Sequence, residues 1–555
     1  MTYPDLIRTA RDAAARREWR TAFDCFQAAD SMSGELTLDD LHQFAVAAHL
    51  LGQGDSTREI LARAYHEALR LHAPATASRS AFWLGHTLIF SGDESQSAAW
   101  MSRAASVLDE YAIDGVERGF PLVPEGIHKM LGGDPEAASE TLRKALAIGR
   151  QFHDPTLIAL ATHGLGRALI ALGRHDEGMA ALDETMVNVI EGQVSPLVCG
   201  ELYCGLLEAC HDTFDVRRAR EWTAALTRWC ASQPDLIAFQ GPCMVHRVEL
   251  LRLGGAWPDA IAEARRACEW LSAPASPENP ADAYYELAEL HRLRGEFESA
   301  EEAYRLASRF GRTPEPGLPL LWLARGQGDA ALRAIDRSLL ESGDQSSRLA
   351  ALMAARVEVL VALEKTQECH ETVTRLQALA DKTGAPLLEA EANRAAGLLL
   401  LAENRPSEAI ARLRRAWSCW QRLEAPYEAA RERFRIGLCY RALGDIASAV
   451  MEFDAARATF EELGAAPDLR RMSGLLSGAA SSEQVADLTA REVDVLRLVA
   501  AGRTNREIAL ELVISEHTVA RHLQNMLSKL GFPSRTRLAA FAIERGIATL
   551  DDGQN

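Results

Sequence analysis

No run of eighteen apolar residues occurs in this sequence, which excludes a conventional membrane-spanning helix. Its first residues, Met1-Thr2-Tyr3-Pro4-Asp5, lack the basic and apolar parts of an export signal, so a cytoplasmic location is expected. Ten cysteines are scattered over 555 residues without a pairing framework, which fits reduced, mostly buried thiols. Cys199, Cys204, Cys210 and His211 are the one cluster, but their spacings put no two thiols at i and i+4 on a helical face. Helix packing is the expectation there, and no metal site. A phosphate-binding loop is missing too: Gly52-Gln53-Gly54-Asp55-Ser56-Thr57 has glycines but no lysine and no preceding strand. Neither an α/β receiver nor a Ser/His/Asp, Cys/His or paired-carboxylate arrangement stands out, so neither an enzyme nor a bound cofactor is expected.

What is present begins at the C-terminal end, where capping chemistry outlines three helices. Thr489-Ala490-Arg491-Glu492 and Thr504-Asn505-Arg506-Glu507 are capping boxes, in which hydroxyl and carboxylate satisfy two orphan backbone donors reciprocally. Ser515 opens the third helix. Apolar residues recur at three to four: Val493, Leu496 and Val499/Ala500, then Ile508, Ala509 and Leu512, then Val519, Leu523, Met526 and Leu530. Ala501-Gly502-Arg503 supplies a glycine stop, and Val513-Ile514 alone separates the second and third helices. So short a connection forces a sharp angle, the helix-turn-helix arrangement.

The third helix carries a polar stripe opposite its apolar face: His517, Ala520, Arg521, Gln524 and Ser528. An Arg521 fork suits guanine, a Gln524 amide suits adenine, and Ala520 touches at most a thymine methyl. Ser515 and Thr518, at the helix N-terminus, suit phosphate positioning. Asn505, Lys529, Arg535 and Arg537 complete the expected interface with double-stranded DNA.

Leu488-Thr489, Arg491-Glu492, Asn505-Arg506-Glu507-Ile508-Ala509, Ser515-Glu516-His517-Thr518-Val519, His522 and Lys529-Leu530 together resemble the LuxR-type, or NarL-type, DNA-binding domain, over about 487–547. The resemblance implies four helices, the third entering the major groove and the fourth, about Arg535 to Arg545, helping to pair two domains as a homodimer on DNA. The chain departs from the family at Ala520, where a lysine is usual, and at Gln524, often basic. The fourth region of a sigma factor shares the Ser-x-x-Thr-Val pattern but not the extension from Gly531 to Ile547.

Net charge also divides along the chain. The whole carries −18; residues 487–549 hold nine Lys/Arg and seven Asp/Glu, a net of +2, and Asp551 and Asp552 add −2, leaving −18 on residues 1–486. An acidic body of that size is expected to lie off the duplex.

Paired helices fill the chain before about residue 464, with a repeat visible when their turns are aligned. Markers fall at Arg17, Gly54, Gly92, Gly133, Gly173, Phe214, Gly255, Gly295, Gly326, Glu364, Asn404 and Gly444, mostly 37 to 41 apart, with a short unit after Pro314–Pro319. Seven before the marker stand Gly85, Gly126, Gly166, Gly397 and Gly437; five after, Ala22, Ala138, Ala219, Ala260, Ala300, Ala331, Ala409 and Ala449; nine after, Phe26, Leu142, Leu182, Tyr304, Leu413 and Phe453. Small residues at the crossing with large ones beyond resemble a tetratricopeptide repeat, somewhat longer than its usual unit. The fold expected is all-α: a tetratricopeptide-like helical-hairpin solenoid of about twelve hairpins, coiled as a right-handed superhelix, followed by a four-helix LuxR-type helix-turn-helix domain.

By that resemblance, residues ten and six before the marker face a concave groove. They include Phe82, His86, His163, Arg167, Glu208, Glu249, Tyr285 and Glu289, with Arg79, Arg252 and Arg292 nearby. Packing and solvation account for such side chains as readily as a ligand does. The division expected is a superhelical sensor or interaction domain at 1–463, a linker at 464–486, a DNA-binding domain at 487–549 and an acidic tail at 550–555. The chain resembles the C-terminal half of large LuxR-type regulators without their ATPase. The expected function is sequence-specific transcriptional regulation, the repeats sensing a small-molecule, peptide or protein effector. A protein-interaction scaffold whose C-terminal helices contact protein is the reading from another class.

Overall fold

A computed structural model describes residues 1–475, except 33, 91–92, 234, 238–239, 274–278 and 342–345, and residues 488–544. Two compact units divide between Ala465 and Ala466. Among the described residues of the first unit, twenty-four α-helices pair into twelve hairpins. The first six are α1 Tyr3–Ala15 with α2 Trp19–Asp30, α3 Leu38–Leu50 with α4 Gly54–Arg70, α5 Pro74–Phe90 with α6 Glu94–Glu110, α7 Leu122–Leu131 with α8 Pro135–Gln151, α9 Pro155–Ala171 with α10 His175–Ile190, and α11 Pro196–Asp212 with α12 Val216–Ala231. The other six are α13 Gln240–Leu253 with α14 Trp257–Leu271, α15 Ala281–Arg294 with α16 Phe297–Arg309, α17 Gly317–Ala324 with α18 Gly328–Glu341, α19 Ser346–Ala362 with α20 Thr366–Thr383, α21 Pro386–Ala402 with α22 Pro406–Arg422, and α23 Pro426–Ala442 with α24 Ile446–Leu463. The short ninth unit follows the proline-rich stretch, as the spacing predicts.

Among the described residues, eleven of the twelve hairpins turn through one left-handed residue. Ten of the twelve markers have positive φ, from Arg17 at 63° to Gly444 at 79°. At the last of these, Asp445 N–H donates to Tyr440 C=O at 3.0 Å, closing the first helix as a Schellman turn does. The Asp445 carboxylate then accepts from Ser448 N–H at 3.1 Å and starts the second helix. Two markers differ. In hairpin 2 the left-handed residue is Gly52, φ 69°, while Gly54 already belongs to α4. Gly92 lies outside the described residues.

The repeat's small-to-large rule is a direct contact. A Cβ added to Gly126 would stand 2.6 Å from Leu142, on Gly397 2.6 Å from Leu413, and on Gly437 2.6 Å from Phe453. The residue seven before the turn thus sits under the residue nine after it, and any side chain there would push the two helices apart.

The coil brings hairpins 1 and 2 onto hairpins 6 and 7, and these in turn onto hairpin 12. Trp19 Nε1 of hairpin 1 donates to Gln233 Oε1, just after hairpin 6, at 2.9 Å. Ile237 N–H donates to Leu50 C=O at 2.8 Å, joining hairpin 2 to the approach of hairpin 7. Arg220 of α12 pairs with Glu424, which precedes hairpin 12, and the rings of Trp257 in hairpin 7 and Tyr427 in hairpin 12 lie 5.2 Å apart. First helices of hairpins 2 and 6, α3 and α11, therefore meet across the inside of the coil.

Residues 466–475, within the expected linker, are helical, starting at the Ala466-Pro467 pair. The rest of that linker, 476–486, and the acidic tail, 550–555, lie outside the described residues. In the second unit, α25 Ala490–Ala500, α26 Asn505–Glu511, α27 Glu516–Leu530 and α28 Arg535–Glu544 surround a core of Val495, Leu496, Val499, Ile508, Val519, Met526, Leu538 and Phe541. No described helix is long and apolar enough to cross a membrane.

Candidate functional site

The second unit is built by its caps. Thr489 and Thr504 each accept from the N–H of the glutamate three residues on, while that carboxylate accepts from the threonine's own N–H, at 2.8 Å and 2.7 Å. Ser515 accepts from Thr518 N–H at 3.1 Å and starts α27. The turn between α26 and α27 passes through Val513 at φ 54°, a left-handed valine 89 % exposed. Arg491 of α25 donates to the C=O of Leu512, so the first helix braces the end of the second.

On α27, Val519, Leu523, Met526 and Leu530 are buried while His517, Ala520, Arg521, Gln524 and Ser528 are exposed along one side. Asn525 joins that exposed side and did not stand out in the sequence, because a single polar residue beside an apolar stripe carries no periodic signal. Arg521 makes no ion pair with any described residue, so its guanidinium fork is free to meet a partner.

Lys529, Asn505, Arg535 and Arg537, all expected DNA contacts, are engaged inside the unit. Lys529 Nζ lies 2.7 Å from Oε2 of Glu492, the buried glutamate of the first capping box. Hydrogen bonds from Lys529 and from Thr489 hold the Glu492 carboxyl below its ordinary range against the opposing effect of burial. Arg535 donates to Asn505 Oδ1 and to the C=O of Arg503, tying α28 to the start of α26. Arg537 lies over the Phe532 ring, 5.4 Å from its centroid.

The family model described as "Bacterial regulatory proteins, luxR family" matches residues 486–542. The C-terminal domain is of the LuxR type. A second model, "Tetratricopeptide repeat", matches residues 281–309, the eighth hairpin. Over the C-terminal region the chain is 48 % identical across 62 residues to the uncharacterized transcriptional regulatory protein YhcZ of Bacillus subtilis, 11 % of this chain and 29 % of YhcZ. It is 49 % identical across 55 residues to the transcriptional regulatory protein LiaR of the same organism, 10 % of this chain and 26 % of LiaR. With the putative HTH-type transcriptional regulator Rv0890c of Mycobacterium tuberculosis it shares 48 % across 59 residues, 11 % of this chain and 7 % of that protein. The chain thus spans less than a third of the length of each of these relatives. Among solved structures, the apo form of the quorum sensor NprR from B. thuringiensis aligns at a TM-score of 0.32 with 14 % identity, over 69 % of this chain and 98 % of that one.

Inside the repeats, the expected groove residues fall into three groups. Phe82 is 1 % exposed, with its ring 5.0 Å from those of both Trp83 and Phe120, so it fills the core rather than facing a ligand. Tyr285 is also buried, under the guanidinium of Arg312 at 4.1 Å. Glu289 is held by Arg292 at 2.6 Å and accepts from the Tyr304 hydroxyl. Its carboxyl sits near 2 because these partners and Arg252 outweigh burial. Arg252 itself pairs with Glu286 at 2.7 Å.

A second group meets across the first turn of the coil. His86 Nε2 lies 3.0 Å from Glu201 on α11, and His49 and His163 also act on that carboxylate. Burial pushes His49 and His163 down to about 4, so both are neutral at physiological pH. His163 stacks on Gly205 of α11, where a Cβ would stand 2.4 Å from its ring. Arg79 pairs with Glu117 at 2.8 Å.

The third group remains open to solvent. Arg167 holds Glu208 at 2.9 Å and Asp212 at 3.8 Å. Beside them His211 Nε2 stands 2.9 Å from Glu249 Oε2, and the Glu249 carboxylate raises the imidazole to about 9. His211 had stood out only for its nearness to Cys204 and Cys210. Those thiols do not join it: Cys210 is buried and pushed up to about 12, a protonated packing residue, as is Cys199.

Proposed function

We propose that this chain is a sequence-specific DNA-binding transcriptional regulator, read out by α27 and controlled by the helical repeats. The observation that carries the reading is the exposed side of α27, where Arg521 and Gln524 project with no internal partner for the arginine. A helix of fifteen residues, capped at Ser515 and backed by a buried apolar face, is the element that fits a major groove. Because Lys529, Asn505 and Arg535 are already engaged, fewer cations face the duplex than the composition suggests. A homodimer, with two recognition helices one DNA turn apart, supplies the missing affinity.

The repeats are proposed to bind a polar effector, a peptide or small molecule, along the open inner surface around Arg167, Glu208 and Glu249. The test is selection of binding sites from a random duplex pool with the full chain, then titration of the selected site by fluorescence anisotropy. Arg521→Ala is expected to weaken the selected site by about 1–3 kcal/mol and to flatten the preference among single-base variants. Equal binding of both proteins to the selected site, or failure to select any sequence, would overturn the reading and favour a protein-interaction role.

A further inference from the structure

The open inner surface carries a set of donors that the DNA-binding reading does not use and of which the effector reading uses only Glu249. One nitrogen of His211, one nitrogen of His246 and one carboxylate oxygen of Glu249 all lie within 4.8 Å of one another. His246 and Glu249 are three apart on α13, hence on one face, and His211 is near the end of α11. The two helices are the first members of consecutive hairpins, so the repeat itself sets them side by side.

We propose that His211, His246 and Glu249 form a binding site for a divalent transition-metal ion of the zinc type. Two imidazoles and a carboxylate are a recurrent three-ligand set for such ions, leaving a further position to water or to an exogenous ligand. Ligands at about 2.1 Å from such an ion stand roughly 3.0–3.4 Å apart in octahedral or tetrahedral arrangement. The His211–Glu249 separation of 2.9 Å already approaches that, and the remaining separations are within 4.8 Å. A simple ion pair between His211 and Glu249 does not account for His246. That ring makes no hydrogen bond to a described residue, yet it stands 5.9 Å from the His211 ring, centroid to centroid.

Further carboxylates surround the site, each paired with an arginine. Glu286 and Asp212 act on His211, Glu208 and Asp282 on His246, all in the same sense as Glu249. Arg252 opposes them, and its guanidinium is turned to Glu286. Arg167 is likewise committed to Glu208 and Asp212, and Arg312 to Asp282. Partial exposure of all three donors leaves a path for the ion to enter. The site also spans the junction between hairpins 6 and 7, where the coil begins its second turn, so bound metal would clamp that junction.

This inference is independent of what α27 contacts, and its test does not involve DNA. Untagged full-length protein, stripped with chelator, is titrated with Co2+ while the visible ligand-field absorption is followed, and Zn2+ is added to displace it. Saturation at one Co2+ per chain, reversed by Zn2+, is expected. His246→Ala and Glu249→Gln should each weaken binding at least about tenfold with the helical circular dichroism unchanged. His66→Ala, on the exposed side of α4 and far from the site in sequence, should bind as the parent does. Absence of saturable one-per-chain binding, or full affinity retained in His246→Ala, would overturn the proposal and leave an ordinary ion pair.

Discussion

Trp19 and Gln233, 214 residues apart, share a buried hydrogen bond of 2.9 Å from the indole Nε1 to the amide Oε1. Gln233 is 1 % exposed, so neither group has water as an alternative partner. This contact ties hairpin 1 to the segment that follows hairpin 6. Gln233→Ala is expected to speed hydrogen exchange over Tyr3–Asp30 while the later hairpins keep their protection. Exchange of hairpin 1 at the parent rate would show that the contact contributes nothing.

Lys529 faces Glu492 in the C-terminal domain, and that pairing gives it a structural part. Lys529→Met should lower the stability of this domain by about 1–3 kcal/mol, because a buried carboxylate loses its charged partner. Adding Glu492→Gln should restore part of the loss. Urea unfolding of the full chain, followed through the domain's amide signals, measures both, with Arg521→Ala as the exposed comparison that leaves stability unchanged.

Val513 holds a left-handed backbone that β-branched residues disfavour, and its side chain is 89 % exposed, so no packing compensates. Replacement by asparagine, which tolerates this conformation, should stabilise the domain by about 1 kcal/mol. A midpoint that falls instead would mean that the valine side chain has a role in the folded turn.

Stability should also respond to pH through Glu391 on α21. Burial pushes its carboxyl up to about 7 despite Arg394 at 3.2 Å, with Glu428 and Glu358 adding to the rise. A carboxyl raised above its ordinary value of 4.5 favours the folded state fully below about 4.5, and this contribution is lost as pH rises through 7. Glu391→Gln should therefore gain stability over the parent as pH goes from 5 to 8. Unfolding curves of the two proteins that stay parallel across that range would contradict the assignment.

Much of this was legible in the chain because it is local. The capping boxes at Thr489 and Thr504, the cap at Ser515 and the turn markers from Arg17 to Gly444 depend on residues within a few positions of each other. The pairing of Gly437 with Phe453 was equally visible, since its spacing recurs in Gly126 with Leu142, Gly166 with Leu182 and Gly397 with Leu413. Even so, Val495, fully buried, escaped the three-to-four spacing that found Leu496, because the wider buried face of α25 includes an adjacent residue.

The inner surface was legible only as a set of positions. Phe82 and His163 occupy equivalent places in the repeat, yet one fills an aromatic core and the other packs on Gly205. Those outcomes depend on side chains supplied by other hairpins.

The sequence by itself thus determined the elements: twelve hairpins, their turns, and a C-terminal domain with one exposed polar helix face. Periodicity and capping act over one to three helical turns, and one chain suffices to read them. Only the tertiary structure decided which of the charged residues are free. Coiling brings the sixth hairpin onto the first, sets Glu201 among three histidines and brings His211 to His246 and Glu249. Lys529 and Arg535 are drawn inward by partners 37 and 30 residues away. Such pairings follow from the pitch of the coil and the crossing of helices, small angles that accumulate over many residues and leave no mark in any short stretch of sequence.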